Sequence, residues 1–200
     1  MARASALKSL RPLEDRPFHV KDAEGLGVAG YELRRLRDSG DLIELTRGVY
    51  QRADAAPDAA IDLATISARA PEATIAANSA LAYWELTDEI PSTVHLAVKR
   101  GSHRPQISYP PTTVHVFAAD TYPLGRVHQG PEAGGFWIYS RERAIADAMR
   151  LPKVIGRDQA LGALRQYLST RGARPGELMR IADELRTGPA LRHALEVLLT

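Results

Sequence analysis

Cysteine is missing from all 200 residues of the sequence. This absence excludes disulfide bonds, thiolate metal sites, iron–sulfur clusters and a cysteine nucleophile, and it is typical of a cytoplasmic protein. Long apolar runs are also missing, since no stretch approaches the ~18 residues that a membrane span needs. The first residues include basic side chains but no apolar run of signal-peptide length. We therefore expect a cytoplasmic protein that does not enter a membrane.

The residues that are present suit one or two globular domains, with 44% hydrophobic and 25% charged residues. A net charge of +2 hides an uneven distribution. Residues 1–53 hold ten basic and eight acidic side chains, residues 54–140 five and nine, and residues 141–200 eleven and seven. Two basic segments thus flank an acidic one. This asymmetry favours an anionic partner such as nucleic acid, although an ordinary solvated surface has similar charges.

Residues 20–52 have the pattern of a winged helix-turn-helix. Two short helices and a hairpin are predicted, over residues 20–25, 31–40 and 42–52. Leu33 and Leu36 share one face of the second helix, and Gly48 marks a tight turn in the hairpin. In this motif the second helix enters the major groove of DNA and the hairpin forms the wing.

Basic side chains occupy the positions that would face DNA. When Leu33 and Leu36 turn inward, arginines project from the other faces of the same helix, and another arginine lies at the hairpin turn. Guanidinium groups pair bidentately with guanine edges and with phosphates. The predicted DNA-binding residues are Lys21, Tyr31, Arg34, Arg35, Arg37 and Arg47. The alternative is a surface helix with internal ion pairs, because Glu32 and Asp38 belong to the same helix.

A small, polar stretch at residues 54–58 predicts a linker. It separates a DNA-binding domain, residues 1–53, from a larger domain, residues 59–200. Helices are predicted in that domain over 59–70, 78–86, 141–150, 158–170, 175–186 and 189–199, and strands over 93–98, 113–118, 126–129 and 136–140. We therefore expect an α+β fold, with an N-terminal winged helix-turn-helix and a larger mixed α/β C-terminal domain that ends in helices.

The histidines and acidic residues are candidates for catalytic or metal-binding groups. His95 and His115 occupy equivalent positions in two predicted strands and would meet if those strands pair, but solvent-facing histidines are the simpler interpretation. Zinc-site, phosphate-loop and nucleophile-elbow spacings are absent from the sequence. The run Arg141–Arg143 and Asp147 are predicted to form the charged face of an amphipathic helix. We expect no enzymatic activity, no metal site and no cofactor.

Several motifs recur in the order found in one known family. A leucine-spaced reading helix, a Gly-x-Leu step and an Arg-Gly-Val-Tyr closure of the wing are supplied here by Leu33, Leu36, Gly40, Leu42 and the run 47–50. In these features residues 27–50 resemble the N-terminal domain of the AbiEi antitoxins. The segments 78–86 and 89–98 are similar to later segments of that family. Ser140–Asp147 resembles its Ser-Pro-Glu-Arg-Thr-x-x-Asp signature, with Arg141 in place of proline and Ala144 in place of threonine.

The resemblance implies a protein with two roles. Its winged helix would bind double-stranded operator DNA, often with inverted repeats, and repress its own toxin–antitoxin operon. The C-terminal domain would counteract a nucleotidyltransferase-like toxin encoded beside it, directly or indirectly. Arginines of the last three predicted helices would extend the DNA contact or face an acidic toxin surface, unless they are only solvated: Arg165, Arg171, Arg174, Arg180 and Arg192.

Two other classes of function remain as alternatives. One is a winged-helix transcription factor that has no toxin partner and whose C-terminal domain senses a small ligand. The other is an enzyme that acts on nucleic acid, such as a nuclease, but the sequence lacks the clustered acidic metal site that this would need.

Overall fold

The computed structural model describes residues 2–131 and 134–199, which form two compact units. The first unit comprises the described residues of Met1–Glu72, Pro105–Pro111 and Gly130–Phe136. The second comprises those of Ala73–Arg104, Thr112–Gln129 and Trp137–Thr200. Each unit combines helices with a sheet, so the predicted α+β class is confirmed. Within the described residues, none of the helices combines the length and apolar character that crossing a lipid bilayer would require.

The first unit is a helical domain with a small antiparallel sheet. Its elements are α1 (Ala2–Ser9), a 3-10 helix (Arg11–Leu13), β1 (Phe18–His19), α2 (Val20–Gly25), α3 (Gly30–Asp38), β2 (Leu42–Thr46), β3 (Val49–Arg52) and α4 (Ile61–Arg69). The sheet has the order β1-β3-β2. The helices α2 and α3 and the β2–β3 hairpin confirm the predicted winged helix-turn-helix. The two-residue strand β1 was not predicted, because it is too short to show an alternating pattern.

The core of the first unit holds the inward face of α3. Leu33 and Leu36 are buried in one apolar cluster with Leu10, Phe18 and Leu42. Their spacing of three residues places both leucines on the same side of the helix. Truncating a buried leucine to alanine costs about 2–5 kcal/mol, so this face fixes the orientation of α3.

The wing turns at Gly48. This glycine has φ +75°, in the left-handed region, and it follows a bulge between Glu44 and Thr46. Glycine adopts this conformation readily because it lacks a Cβ atom. The tight turn that the sequence predicted therefore lies between β2 and β3.

The first unit extends beyond the predicted linker at residues 54–58. Helix α4 packs on β1 and β3, so residues 59–72 group with this unit rather than with the second. Two segments from later in the sequence, Pro105–Pro111 and Gly130–Phe136, also belong to the first unit. Thr46 Oγ1 lies 2.9 Å from Ser108 Oγ, and Gly134 lies so close to the side chain of Arg16 that a Cβ atom at this position would overlap it. This boundary could not be predicted from the sequence. The apolar face of α4 indicates that the helix is buried on one side, but not which of the two sheets it covers.

The second unit is a five-stranded mixed sheet covered by helices. Its elements are β4 (Thr74–Ile75), α5 (Ala77–Tyr83), β5 (Val94–Lys99), β6 (Thr112–Phe117), β7 (Arg126–Gln129), β8 (Phe136–Tyr139), α6 (Arg141–Arg150), α7 (Arg157–Ser169), α8 (Pro175–Glu184) and α9 (Gly188–Leu199). The strand order is β6-β5-β4-β8-β7, with β5 parallel to β6 and antiparallel to β4. Helix α6 packs against α5, α7 and α8 and is the centre of this unit.

Candidate nucleic-acid interface

Helix α3 presents a basic face opposite its buried leucines. Its first turn is stabilised by Glu32, whose carboxylate accepts a hydrogen bond from the amide of Ala29 at 3.1 Å. Arg34 and Arg35 are exposed. The guanidinium of Arg34 donates only weakly to the carbonyl of Gly30 on the same helix, at 3.3 Å. Both side chains therefore remain available to a partner.

Three other predicted DNA-binding residues are also exposed. Lys21 lies at the start of α2, and Arg47 lies at the turn of the wing. Tyr31, in the first turn of α3, has 63% of its surface exposed. Exposed cations and a phenol at these places suit contacts with the DNA backbone.

Arg37 is different, because it joins the helix to the wing. Its Nη1 lies 2.8 Å from Oε2 of Glu44 on β2, and its Nη2 lies 2.9 Å from Oδ1 of Asp38. Oε1 of the same glutamate accepts a hydrogen bond from the amide of Gly48 at 3.1 Å. Burial acts to raise the pKa of Glu44, but these hydrogen bonds outweigh it and lower that pKa. The carboxylate is thus a fixed negative charge that holds the wing turn beside α3.

The five arginines predicted as additional contacts in the second unit fall into two groups. Arg174 pairs with buried Glu142, Arg180 with Glu177 and Glu184, and Arg192 with Asp183. Arg165 and Arg171 are exposed and form no ion pair with any residue that the structure describes. Only these two keep a guanidinium free for an outside partner.

The charged face predicted for α6 is mostly not a solvent-facing surface, and that prediction is wrong. Arg143 and Asp147 are fully buried, and Glu142 is 2% exposed. Arg143 Nε lies 3.1 Å from one carboxylate oxygen of Asp147, and Arg150 Nε lies 2.7 Å from the other. A helical repeat of charges looks the same whether solvent or another charged side chain covers it, so the sequence could not show this.

Glu142 belongs to a second buried group. It accepts hydrogen bonds from the Tyr167 hydroxyl at 3.1 Å and from Arg174 at 3.1 and 3.0 Å. Burial raises the pKa of Tyr167 to about 12, and the adjacent carboxylate acts in the same direction. This group connects α6 to α7 and to the start of α8. The arrangement is structural, because each oxygen of Glu142 already has a partner.

His95 and His115 do meet, since β5 and β6 pair side by side. The Nδ1 atom of His95 lies 3.0 Å from Nε2 of His115, and the rings are stacked. Both histidines are partly buried, so they face solvent only in part, and this burial lowers the pKa of both imidazoles. Across the part of the chain that the structure describes, no group of three or more histidine and carboxylate ligands could hold a metal ion.

Comparisons with known proteins agree with this architecture. Residues 6–53 match the family model described as a transcriptional regulator, AbiEi antitoxin. The crystal structure of the RV2827C protein from Mycobacterium tuberculosis is similar over 98% of this chain and 81% of that chain, with a TM-score of 0.54 and 15% sequence identity. At that identity the likeness shows a shared fold alone. No protein with a curated description matches the chain.

The family match covers the winged helix-turn-helix and ends at residue 53, in the short segment after β3. It includes the leucine-spaced helix and the Arg-Gly-Val-Tyr run of residues 47–50. Residues 6–53 of this chain are therefore similar to the AbiEi antitoxin transcriptional regulators.

Proposed function

We propose that the protein binds operator DNA through α3 and the wing, represses its own operon, and counteracts a nucleotidyltransferase-like toxin encoded beside it. The observation that carries this proposal is the exposure of Arg34 and Arg35 on a helix whose opposite face buries Leu33 and Leu36. The regulator family matched by residues 6–53 supports it.

In this proposal the residues of the first unit have separate tasks. Arg34 and Arg35 read base edges in the major groove, because the guanidinium fork matches guanine. Lys21, Tyr31 and Arg47 contact phosphates and set the position of the domain. The charge of Arg37 also faces the DNA. Because its guanidinium pairs with Glu44 and Asp38, its main role is to position the wing beside α3. An operator with inverted repeats would bind two copies of the chain.

The groove assignment is tested by Arg34→Ala combined with Arg35→Ala. Each good base contact contributes ~1–3 kcal/mol, so we expect operator affinity to fall at least about 30-fold. The fold should persist, because both side chains are exposed. Fluorescence anisotropy on the DNA upstream of the gene measures the affinity.

A matched control removes two exposed charges from the second unit, Lys153→Ala with Arg157→Ala. This control should retain operator affinity within about threefold, since general charge loss has a small effect. Equal affinity of the Arg34/Arg35 variant and the wild type would refute the assignment of α3 to the groove.

Phosphate contacts have a separate signature in the salt dependence. The logarithm of affinity should fall with the logarithm of salt concentration by ~0.9 per contacted phosphate. Lys21→Ala and Arg47→Ala should each reduce that slope by about one while sequence preference is kept. An unchanged slope in both variants would place the wing and α2 away from the DNA.

The antitoxin half of the proposal is tested by growth. The full-length chain and the Arg34/Arg35 double variant are each co-expressed, from an unrelated promoter, with the product of the adjacent gene. We expect both to relieve toxicity, because neutralisation is assigned to the second unit, with Arg165 and Arg171 as its proposed contacts. If neither chain relieves toxicity while the wild-type chain still binds the operator, the alternative of a ligand-sensing transcription factor is favoured.

A further inference from the structure

A cleft of about 230 Å³ opens on the second unit beside the start of α6. The side chains that line it include Trp84, Val127, Gln129, Arg141 and Arg174. It thus combines two guanidinium groups with an indole ring, an aliphatic side chain, an amide and the carboxylate of Glu142, which pairs with Arg174. None of the proposed DNA contacts in the first unit belongs to it.

Arg141 is the unusual member of this cleft. Its Nε atom is buried and has no hydrogen-bond partner, and no described residue forms an ion pair with its guanidinium. The guanidinium carbon lies 5.3 Å from the centre of the Trp84 ring, which keeps the group in place by a cation–π contact. Its terminal nitrogens also form no hydrogen bond with any described residue and, unlike Nε, are not enclosed, so they are the donors that an acceptor from outside the chain can reach.

The charge of the cleft comes from Arg141. Arg174 uses Nε and one terminal nitrogen to pair with both oxygens of Glu142, so that pair carries no net charge. One positive charge therefore remains. The start of the ten-residue helix α6, where Arg141 is the first residue, adds the partial positive charge of a helix N-terminus.

We propose that this cleft binds a small organic carboxylate, with Arg141 as the bidentate partner of the carboxyl group. A carboxylate carries one negative charge and has the planar shape that the guanidinium fork matches. Trp84 and Val127 provide an apolar wall for the body of the ligand, and Gln129 offers an amide to orient it. A phosphate group carries up to two charges at neutral pH, more than Arg141 neutralises.

Benzoate is the probe, and Trp84 is the reporter. The chain has two tryptophans, so Trp137→Phe leaves Trp84 as the only one. We expect benzoate to change the fluorescence of this variant saturably, with a Kd of about 1 mM or tighter, and calorimetry on the wild-type chain to give a similar Kd. The absence of both signals up to about 10 mM benzoate would overturn the proposal.

Variants and analogues separate carboxylate recognition from other causes. Arg141→Gln should weaken benzoate at least about tenfold, and Arg141→Lys, which keeps the charge but loses the fork, should be intermediate. Arg157→Gln removes an exposed charge elsewhere in the second unit and should leave Kd unchanged. Benzamide, which is neutral, should not bind. Equal binding of benzamide or of inorganic phosphate, or an unaffected Arg141→Gln variant, would refute a carboxylate site.

Discussion

Arg143 lies fully buried in the first turn of α6, where it connects the helix to a neighbouring loop. Besides its contact with Asp147, its Nη1 donates to the carbonyls of Thr121 and Leu124, each at 2.7 Å. The same guanidinium lies over the ring of Tyr139, 4.4 Å from its centre. One side chain thus fixes the loop, the sheet and the central helix of the second unit relative to one another.

Removing the charge of Asp147 should lower the free energy of unfolding. In Asp147→Asn the buried guanidinium of Arg143 loses its counter-charge, and breaking a buried pair costs ~3–5 kcal/mol. We expect a loss of about 3 kcal/mol in the free energy of unfolding, because asparagine still accepts a hydrogen bond. Urea denaturation measures it. Asp88→Asn, at an exposed carboxylate, is the control and should be nearly neutral.

The side chain of Arg143 leaves no room for a side chain at Gly125. A Cβ atom at Gly125 would lie 2.6 Å from Cβ of Arg143, and the residue has φ +70°. Gly125→Ala should therefore lower the free energy of unfolding by at least ~2 kcal/mol, from the left-handed backbone and the overlap together.

The matched control for Gly125 is Gly162→Ala in the middle of α7. A Cβ atom there meets nothing within 4 Å, so alanine should stabilise the helix by ~0.5–1 kcal/mol. Opposite signs for the two substitutions in thermal unfolding are the expected result. Destabilisation of equal size at both positions would mean that contact with Arg143 is not the cause.

At the scale of helices and strands, the sequence predicts helix caps and the buried faces of helices. Serine is favoured at the N-cap of a helix, and Oγ of Ser140, directly before α6, accepts a hydrogen bond from the amide of Arg143 at 3.2 Å. The spacing of Leu33 and Leu36 likewise predicted which face of α3 is buried, and with it the exposure of Arg34 and Arg35. These features depend on residues within a turn or two of each other, which is why local pattern suffices.

Other features of these elements depend on partners far along the chain. The ion pairs that engage Arg37 and Arg174 involve Glu44 on another element and Glu142, thirty-two residues away. No local pattern identifies such a partner. The two-residue strands β1 and β4 were missed because each is defined only by the strand beside it.

The cap of α6 gives a test at this scale. Ser140→Ala removes the acceptor for the amide of Arg143 and should cost ~1 kcal/mol. Chemical denaturation compared with Ser102→Ala, at an exposed turn residue, measures the difference. An equal effect of both substitutions would show that Ser140 does not stabilise the helix as a cap.

For the molecule as a whole, three partly buried histidines predict sensitivity to acid. Burial lowers the pKa of His19, His95 and His115. His19 also accepts a hydrogen bond at Nδ1 from the amide of Lys21, which requires a neutral ring. Because the folded pKa values lie below the unfolded value of ~6.5, their contribution is complete above that pH and is lost as pH falls through the folded values.

We therefore expect the urea midpoint to be lower at pH 5.5 than at pH 7.5. The double variant His95→Gln with His115→Gln should show a smaller decrease, since two of the three groups are gone. His103→Gln, at an exposed histidine, should keep the wild-type decrease. If the double variant loses as much stability in acid as the wild type, the stacked pair is not responsible.

The first unit takes its residues from three separate stretches of the chain, and the last of these is Gly130–Phe136. During translation this unit cannot be completed until residue 136 has left the ribosomal tunnel, long after the hairpin has emerged. An mRNA truncated in the middle of its coding region would still encode every proposed DNA-binding residue, since these lie between Lys21 and Arg47. Its product would lack part of the unit that supports them, so truncated chains should be poor competitors for the operator.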